Sequence, residues 1–479
     1  MLLNEFVLKN DLKCNIKIDY EIGKVVDDSR IIQEFDIFVV IKGLDNNGYD
    51  YLNSVIDKKV KTIIIDEDVL YDNESLNIIK VKNTKTWYLD YLIKENKEIF
   101  NKLKVIGVTG TNGKTTSSYL IYNILKKYKN VMFAGTNGSF VSIKGKEYRY
   151  KTKNTTPKLS VIVDILLKHP NIKYLILEIS SDAVENNRLG DLKFDIICLT
   201  NIGHDHANTH KCYENYIQSK VNLFKKFKKS KYCVAVLNND DKYYKVFSKA
   251  VDKNIRIVSY GINKGDIRGD ILSINNDHMM VKVVDYEHEM ILGTNLLGRF
   301  NVYNILLAIK VCEHLGIPFS KIIDAFAANI EIEGRYNKYL INNRQVYIDY
   351  AHNPEAIKEF LCLINQISDE RIITVIGAGG CRDKLKRGMM GYYAKLYSDI
   401  VIFTEDTSRE EDVKEIIEGL VSEIEDKNYY IEYNRVAAIK KAFYLSKEKE
   451  NIILLGMGED SYGTNNEFTD YKVVKLFDV

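Results

Sequence analysis

One stretch near residue 110 constrains the fold more than any other part of the sequence. It reads Lys104-Val-Ile-Gly-Val-Thr-Gly-Thr-Asn-Gly-Lys-Thr-Thr116, and a helical pattern follows from Ser117 to Lys127. A strand, a glycine-rich loop and a helix in this order are what a phosphate-binding loop requires. Glycines let backbone N–H groups approach a polyphosphate, and the helix N-terminus adds partial positive charge. The chain is therefore predicted to bind a nucleotide here.

The loop residues predicted to contact the nucleotide are Gly110, Thr111, Asn112, Gly113, Lys114, Thr115 and Thr116. Lys114 is expected to reach the β- and γ-phosphates, and the Thr115 hydroxyl is expected to bind Mg²⁺. The spacing is a variant of the strict phosphate-loop pattern, because Val108 stands where the first glycine belongs and Gly107 lies one place earlier. The alternative is an ordinary strand-to-helix turn in which Gly-Lys-Thr occurs by chance.

A second apolar segment, Tyr174-Leu-Ile-Leu-Glu-Ile-Ser-Ser181, ends in a carboxylate and two hydroxyl groups. In α/β sheets, ligands bind beyond the carboxyl ends of the strands. Carboxylate oxygens are preferred ligands of Mg²⁺. Glu178 is therefore predicted to bind a metal ion near the phosphate loop, and the alternative is a carboxylate that only caps the following turn.

Length and composition limit the kind of protein this can be. With 479 residues the chain is too long for one hydrophobic core, so three domains are expected. The formal net charge of +2 gives no basic field for nucleic acid. No uninterrupted apolar run approaches membrane-spanning length, and the first residues lack signal-peptide features, so a cytoplasmic protein is expected. The seven cysteines are scattered without C-x-x-C spacing, which predicts reduced, buried thiols.

Short apolar segments alternate with helix-length spacers along the chain, which predicts an α/β fold. The expected domains are residues 1–98, 99–333 and 334–479. The central domain is predicted to hold a mostly parallel phosphate-loop sheet, and the C-terminal domain a doubly wound, Rossmann-like sheet. Strands of this last sheet are predicted at Val346–Tyr350, Ile372–Ile376, Ile400–Thr404 and Ile452–Leu455. Helices are predicted at Thr84–Asn96, Tyr213–Phe224 and Ile305–Leu315.

The longer string Gly107-Val-Thr-Gly-Thr-Asn-Gly-Lys-Thr-Thr116 resembles the nucleotide loop of the Mur ligase family, whose members form amide bonds with ATP in cell-wall synthesis. The resemblance extends over nearly the whole chain and is greatest to the tripeptide synthetases, which add the third amino acid of the peptide stem. It implies an N-terminal domain that binds a UDP-sugar, a central domain that binds ATP, and a C-terminal domain that binds the incoming amino acid.

The resemblance also implies a lysine and a histidine at the metal site. His206 and Lys220 lie fourteen positions apart, as in the tripeptide synthetases. In that family the lysine is carbamylated, and its CO₂ adduct offers the anionic oxygen ligand that an ammonium group lacks. The implied Mg²⁺ ligands are Thr115, Glu178, His206 and Lys220, and the implied catalytic residues are Lys114, His206, Lys220 and Arg335. Without the resemblance, Lys220 would be one more solvated lysine and His206 a surface histidine.

The remaining site residues are also implied by the resemblance. Asn304 and Asp349 are expected beside ATP, and Arg335 resembles a phosphate clamp. The implied substrate contacts are Ser29 for the uridine nucleotide, Asn154, Thr155, Thr156, Ser180, Asn186 and Arg188 for the muramyl dipeptide, and Arg382, Asp406, Arg409, Gly456 and Glu459 for the incoming amino acid. The alternative assigns these positions to turns and helix caps; Thr156-Pro157, for example, is a common helix start.

The chain departs from the family pattern in three places. Ser180-Ser181-Asp182 replaces Ser-Ser-His, and Asp406-Thr-Ser-Arg409 replaces the Asp-Asn-Pro-Arg of enzymes that take meso-diaminopimelate. Gly456-Met-Gly-Glu-Asp460 replaces a Gly-x-Gly-His-Glu run. The third amino acid therefore stays open between meso-diaminopimelate, lysine and another diamino acid.

The resemblance implies an ATP- and Mg²⁺-dependent ligase that joins an amino acid to UDP-N-acetylmuramoyl-L-alanyl-D-glutamate through an acyl phosphate. One alternative is a Mur-type ligase for another carboxylate, such as a polyglutamate or a cyanophycin-like product. Another is a non-catalytic nucleotide-binding protein. Neither nucleic acid nor membrane insertion is expected, and a monomer is the default expectation for the oligomeric state.

Overall fold

The computed structural model describes residues 1–43, 47–152, 154–203, 213–462 and 467–478. Helices and strands alternate through these ranges, and the strands form sheets of four, eleven and six members. Most neighbouring strands are parallel, so the predicted α/β fold is confirmed. Among the described helices, none is both long and apolar enough to cross a membrane.

The N-terminal part forms the smallest sheet. Its elements are α1 (Leu3–Lys9), β1 (Val25–Val26), β2 (Ile37–Val39), α2 (Leu52–Asp57), β3 (Thr62–Asp66), β4 (Asn77–Val81), α3 (Thr84–Glu95) and α4 (Lys97–Lys102). The strands pair in sequence order and all run parallel. The middle strands are almost wholly buried, as expected for parallel strands covered on both faces. Helix α3 starts after Asn83, whose side chain accepts from Thr86 N at 2.9 Å.

The central part forms the largest sheet. Its elements are β5 (Lys104–Thr109), α5 (Lys114–Leu125), β6 (Val131–Gly135), β7 (Gly138–Ile143), β8 (Lys146–Tyr150), α6 (Leu159–Lys168), β9 (Tyr174–Glu178), α7 (Ser181–Glu185), β10 (Ile196–Leu199), α8 (Tyr213–Leu223), β11 (Val234–Asn238), α9 (Tyr244–Ala250), β12 (Arg256–Gly261), β13 (Ile267–Ile274), β14 (Met279–Val284), β15 (Glu289–Thr294), α10 (Arg299–His314) and α11 (Phe319–Phe326).

The strand order of this sheet decides where a ligand can bind. It runs β15-β14-β13-β12-β11-β10-β5-β9-β6-β7-β8. The interior strands are parallel, whereas the β6-β7-β8 and β13-β14-β15 ends are antiparallel. Leu199 pairs with Thr109, and Val108 pairs with Glu178. The carboxyl ends of β10, β5 and β9 therefore meet at one edge, where α/β sheets bind their ligands.

The C-terminal part forms the third sheet. Its elements are β16 (Asn337–Ile341), β17 (Arg344–Asp349), α12 (Pro354–Ile367), β18 (Ile372–Ile376), α13 (Arg387–Leu396), β19 (Ile400–Phe403), α14 (Val413–Val421), β20 (Tyr430–Ile431), α15 (Arg435–Leu445), β21 (Asn451–Leu455) and α16 (Asp470–Lys475). The order is β16-β17-β21-β18-β19-β20, and only β16 is antiparallel to its neighbour. One core packs α12, α13 and α14 on one face, and another packs α15 and α16 on the opposite face. The predicted doubly wound sheet is confirmed.

The chain divides into two compact units. One comprises Met1–Leu103, Pro157–Ile172 and Asn187–Leu192, and the other comprises the rest of the chain. Helix α6 thus belongs to the first unit, where it packs against α3. The predicted division into three domains stays a prediction.

Some local expectations are wrong. Helix α6 begins at Leu159 after Lys158, because the Thr156 hydroxyl donates to Glu178 O at 2.8 Å instead of capping a helix. Helix α10 begins at Arg299, six residues early, because Gly298 starts it at a φ of +94°. The cysteines among the described residues are free, but Cys381 is exposed and Cys14 and Cys362 are only partly buried.

Candidate active site

The phosphate-type loop lies between β5 and α5, in the middle of the large sheet. Gly110 has a φ of +148° and Gly113 a φ of +81°, conformations that favour glycine. A Cβ at Gly110 would overlap the Thr200 hydroxyl, and a Cβ at Gly113 would overlap the Asn304 side chain. Both glycines are therefore required by the backbone conformation and by the space around it. This argues against a chance Gly-Lys-Thr turn.

The end of β10 holds this loop in place through Asn201. Thr111 N donates to Asn201 O at 2.8 Å, and Asn112 N donates to Asn201 Oδ1 at 2.9 Å. The Thr111 hydroxyl lies 2.7 Å from Tyr216 Oη and accepts from Gly203 N at 2.8 Å. The Thr111 backbone and side chain thus both brace the loop.

Three cationic side chains surround the loop. Lys114 donates to Gly110 O at 3.0 Å and to Thr111 O at 2.8 Å. Lys220 also donates to Gly110 O, at 2.9 Å, and a guanidinium nitrogen of Arg335 lies 3.4 Å from Thr115 Oγ1. Positive charge concentrated at backbone carbonyls and a helix N-terminus suits a polyphosphate. The residues present therefore fit the phosphates of a nucleotide.

Glu178 lies next to Thr115 and is fully enclosed. Its carboxylate accepts from Thr115 Oγ1 at 2.9 Å and from Thr136 at 3.2 Å (N) and 3.0 Å (Oγ1). Burial raises the pKa of Glu178, and Lys114 opposes the shift. A buried carboxylate that touches a threonine hydroxyl beside cationic phosphate-binding groups is a suitable donor set for Mg²⁺.

Lys220 lies in α8, and its side chain is 1% exposed. Its ammonium group lies 4.6 Å from the centroid of the Tyr216 ring. The alternative of a solvated lysine is therefore wrong. His206, the other implied member of this set, lies outside the described residues.

Asn304 and Asp349, the residues predicted beside ATP, both accept hydrogen bonds from neighbouring residues. Asn304 Oδ1 accepts from Ser117 Oγ at 3.0 Å, and Thr116 is buried in the first turn of α5. The Asp349 carboxylate accepts from Tyr336 N and Ala351 N, each at 2.8 Å. Burial raises the pKa of Asp349, and Arg335 opposes this shift.

An amide pair joins the loop to the turn before α12. Asn353 Nδ2 donates to Asn112 Oδ1 at 2.7 Å, and Asn112 Nδ2 donates to Asn353 Oδ1 at 3.3 Å. Asn353 also caps α12, because it accepts from Ala356 N at 3.0 Å. The phosphate loop and the C-terminal sheet are thus bonded directly.

The residues predicted to bind the muramyl dipeptide divide between the two compact units. In the larger unit, Thr155 Oγ1 accepts from Thr136 Oγ1 at 3.2 Å, and Ser180 N donates to Thr156 Oγ1 at 3.0 Å. These contacts place Thr155 and Thr156 close to Glu178. Asn154 is exposed with a φ of +69°, and Asn186 donates to Asp182 Oδ1 at 2.6 Å.

The smaller unit carries two further predicted contacts, Ser29 and Arg188. Both are partly exposed. Lys58 Nζ donates to the Ser29 carbonyl at 2.7 Å, which fixes the turn that holds the serine. The serine hydroxyl therefore sits on a defined backbone.

The residues predicted to bind the incoming amino acid lie in the C-terminal part. Arg409 donates to Gly380 O at 2.5 Å, and both Arg409 and Arg382 approach Gly379. Burial lowers the pKa of Arg409, and the charge of Arg382 adds to this. Gly456 has a φ of +103°, and a Cβ there would lie 2.9 Å from Asp406 Oδ2.

A cavity of about 410 Å³ opens beside Arg335. Glu459 lines it together with Glu333, Tyr350 and Asp460. Burial raises the pKa of Glu459 to about 7, and the charge of Glu333 adds to the shift. The cavity therefore presents both acidic groups and the Arg335 guanidinium to a small polar molecule.

Comparison with known proteins identifies the family. A model described as the Mur ligase middle domain matches residues 108–312, and one described as the Mur ligase glutamate ligase domain matches residues 334–458. A UDP-N-acetylmuramoyl-L-alanyl-D-glutamate–2,6-diaminopimelate ligase of Clostridium botulinum is 33% identical over 458 residues, which cover 92% of this chain and 91% of that protein. The chain belongs to the Mur ligase family.

Two further Mur ligases show the extent of the likeness. UDP-N-acetylmuramyl-tripeptide synthetase 2 of Oceanobacillus iheyensis is 29% identical over 467 residues, with 94% of each chain covered. The crystal structure of a MurF ligase from Thermotoga maritima in complex with ADP has a TM-score of 0.68 and 18% identity, covering 95% of this chain and 97% of that one. The second comparison shows a shared multi-domain fold.

The structure of this Mur ligase adds residues to the site that the sequence did not single out. Thr136 bonds Glu178, Tyr216 and Asn201 hold Thr111 and Asn112, and Asn353 bonds Asn112. Tyr216 lies four residues before Lys220 on α8, so helical spacing could have indicated that both face the loop. Thr136 and Asn201 follow β6 and β10, as ligand-facing residues in α/β sheets commonly do.

Proposed function

We propose that this protein is an ATP-dependent ligase that adds the third amino acid to UDP-N-acetylmuramoyl-L-alanyl-D-glutamate. One observation carries the proposal: Lys114, Lys220 and Arg335 converge with the Thr115–Glu178 pair on one glycine loop. Crowding a carboxylate against ATP requires positive charge at that point, which Lys114, Arg335 and Mg²⁺ would supply, because Lys220 is anionic once it is carbamylated. The names of the curated relatives supply the substrate.

The chain's own residues bind and orient the phosphates. The N–H groups of the first turn of α5 receive the polyphosphate, with Lys114 and Arg335 neutralising its charge. Thr115, Glu178, carbamylated Lys220 and His206 would hold Mg²⁺. When bound, the metal would lower the charge that accumulates on the transferring phosphoryl group.

The reaction follows from this arrangement. An oxygen of the dipeptide carboxylate attacks the γ-phosphorus, the bond to ADP breaks, and an acyl phosphate forms. The amine of the incoming amino acid then attacks the acyl carbon, the bond to phosphate breaks, and the nitrogen loses a proton. Phosphoryl transfer depends mainly on positioning and electrostatics, which Lys114 and Arg335 supply.

The C-terminal loops would select the amino acid. Arg382 and Arg409 would take a carboxylate of the incoming molecule, since paired guanidinium groups suit that planar anion. Asp406, Gly456 and Glu459 would contact the rest of it. Because the curated relatives include 2,6-diaminopimelate ligases, a diamino acid is the proposed substrate. The reaction consumes ATP, so we place it in the cytoplasm.

The test is phosphate release from ATP and Mg²⁺ with UDP-N-acetylmuramoyl-L-alanyl-D-glutamate and a panel that includes meso-diaminopimelate and L-lysine. We expect release to require the dipeptide and one diamino acid, and mass spectrometry to show the joined product. Release only with a different carboxylate acceptor would favour another Mur-type ligase. Failure with every acceptor and amino acid would favour a non-catalytic nucleotide-binding protein. The monomeric state stays a prediction.

A further inference from the structure

Two loops of the C-terminal sheet carry the arginines assigned to the incoming amino acid. The 377–386 loop follows β18 and holds Arg382, and the 404–412 loop follows β19 and holds Arg409. Their backbones touch, because Gly380 N donates to Thr407 O at 2.9 Å and a Cβ at Gly380 would overlap Ser408 O. The position of one arginine therefore depends on the position of the other loop.

Glu411 bonds across these two loops. It lies in the 404–412 loop, and its side chain is 7% exposed. Its carboxylate accepts a hydrogen bond from Cys381 N in the 377–386 loop at 2.8 Å. It also pairs with the ammonium group of Lys384 in that loop at 2.9 Å. Arg387, 2% exposed at the start of α13, donates to both carboxylate oxygens at 2.8 Å. A bidentate, enclosed guanidinium–carboxylate pair is among the most directional contacts available to a protein.

The two arginines need such a restraint. Cys381 and Arg409 have φ values of +51° and +54°, so the backbone beside each guanidinium is in a costly conformation. Burial lowers the pKa of Arg409, and the like charge of nearby Arg382 lowers it further. Arg387 donates to Gly379 O at 3.3 Å as well, so the pair formed by Glu411 and Arg387 is bonded to both loops.

We propose that Glu411 is a positioning residue that holds the Arg382 and Arg409 loops at the spacing needed to take a carboxylate of the incoming amino acid. The inference rests on the proposed ligase function, which gives the two arginines a common substrate. Glu411 acts through Arg387, Lys384 and Cys381 N and does not itself touch the amino acid.

The decisive variant is Glu411→Gln, which keeps the shape and removes the charge. The matched control is Glu450→Gln, since Glu450 is equally enclosed at 6% and bonds Arg371 at 3.1 Å. Glu450 precedes β21, at the amino end of the same sheet, away from the loops after β18 and β19.

We expect Glu411→Gln to raise KM for meso-diaminopimelate, or for L-lysine if that is the amino acid used, by about tenfold or more, because a broken buried pair is costly. KM for ATP and for the UDP-dipeptide should change less than about twofold, and Glu450→Gln should leave all three unchanged.

Arg387→Lys provides a second variant in case the glutamine form is unstable. Lysine keeps the charge but cannot donate in a bidentate fork, so an intermediate rise in KM for the amino acid is expected. Two results in both variants would overturn the proposal. One is an equal rise in KM for the amino acid, ATP and the UDP-dipeptide, and the other is no rise in any of them.

Hydrogen–deuterium exchange separates this inference from the proposed function. Glu411→Gln should increase exchange in the 377–386 and 404–412 loops together, and Glu450→Gln should not. If the unaltered enzyme releases no phosphate with any amino acid, the ligase proposal fails, while joint loosening of both loops still supports the coupling. Unchanged exchange in both loops overturns it.

Discussion

The loop after β5 and the loops after β18 and β19 all follow the carboxyl ends of parallel strands, but different interactions hold them in shape. The first is closed by backbone geometry: Gly110 and Gly113 have positive φ and no room for a side chain. The others are held by side-chain charge, through Glu411 and its partners, and they leave Arg382 and Arg409 exposed. A backbone cradle suits a phosphate chain that does not vary. Charged loops can change with the amino acid that they select.

The largest effect is expected at Lys114. Lys114→Ala should lower kcat by about 100-fold or more, because it removes a cation that stabilises the transferring phosphoryl group. Lys127→Ala, an exposed lysine just beyond α5, is the control. Equal kcat values for Lys114→Ala and the unaltered enzyme in the phosphate-release assay would show that the cradle is not catalytic.

Gly110→Ala tests whether backbone geometry closes the cradle. We expect a loss of about 3 kcal/mol or more in the free energy of unfolding, since the methyl group adds overlap with Thr200 to the backbone cost. Gly145→Ala is the matched control, because Gly145 has a φ of +83° and nothing within 4 Å of an added Cβ. It should lose only about 1–2 kcal/mol. Similar losses in chemical denaturation would contradict the crowding argument.

Asn353→Ala tests the link between the two regions. It removes the cap of α12 and the bonds to Asn112, so we expect a loss of about 1–2 kcal/mol in the free energy of unfolding together with a higher KM for ATP. Asn83→Ala removes a cap alone, at α3, and should lower stability without changing KM for ATP. An unchanged KM for Asn353→Ala would mean that the link is only structural.

The smallest effect is expected from the titration of Glu459. Its pKa is raised from 4.5 to about 7, so the folded state keeps a proton that the unfolded state has released. The free energy of unfolding should therefore fall as pH rises between these values and then level off, by about 1 kcal/mol for this partly exposed group. Glu459→Gln should remove that slope in urea unfolding at about pH 5 and about pH 8, whereas Glu448→Gln, an exposed control, should keep it. An unaltered slope in Glu459→Gln would exclude a raised pKa.

The parts of the site that the sequence predicted best are those with local causes. Strand, glycine loop and helix around Gly110 and Gly113 depend on neighbouring residues, although the helix begins at Lys114, three residues before the predicted Ser117. The end of α8 near Lys220 was predicted equally well. The start of α6 was missed because a distant contact decides it. Thr156 bonds Glu178 O, so it does not cap the helix that was predicted to follow it.

Glu411 and Thr136 show why other parts could not be predicted. Each gains its role from partners that lie far apart along the chain, such as Arg387 for Glu411 and Glu178 for Thr136. A single sequence shows residue types and spacing, but it does not show which loops come together at a sheet edge. The same limit hid the amide pair between Asn112 and Asn353.

By itself, the sequence determined the α/β class and the phosphate-type loop, because short-range periodicity and glycine chemistry specify them. Most of the other candidate site residues were implied only by the resemblance to the Mur ligase family. Only the tertiary structure decided that Lys114, Lys220 and Arg335 meet at Gly110 and Thr115, and that Glu178 is enclosed beside them. The physical reason is that strand order, rather than chain order, brings the carboxyl ends of β10, β5 and β9 together, and burial then sets the charge that each side chain can hold.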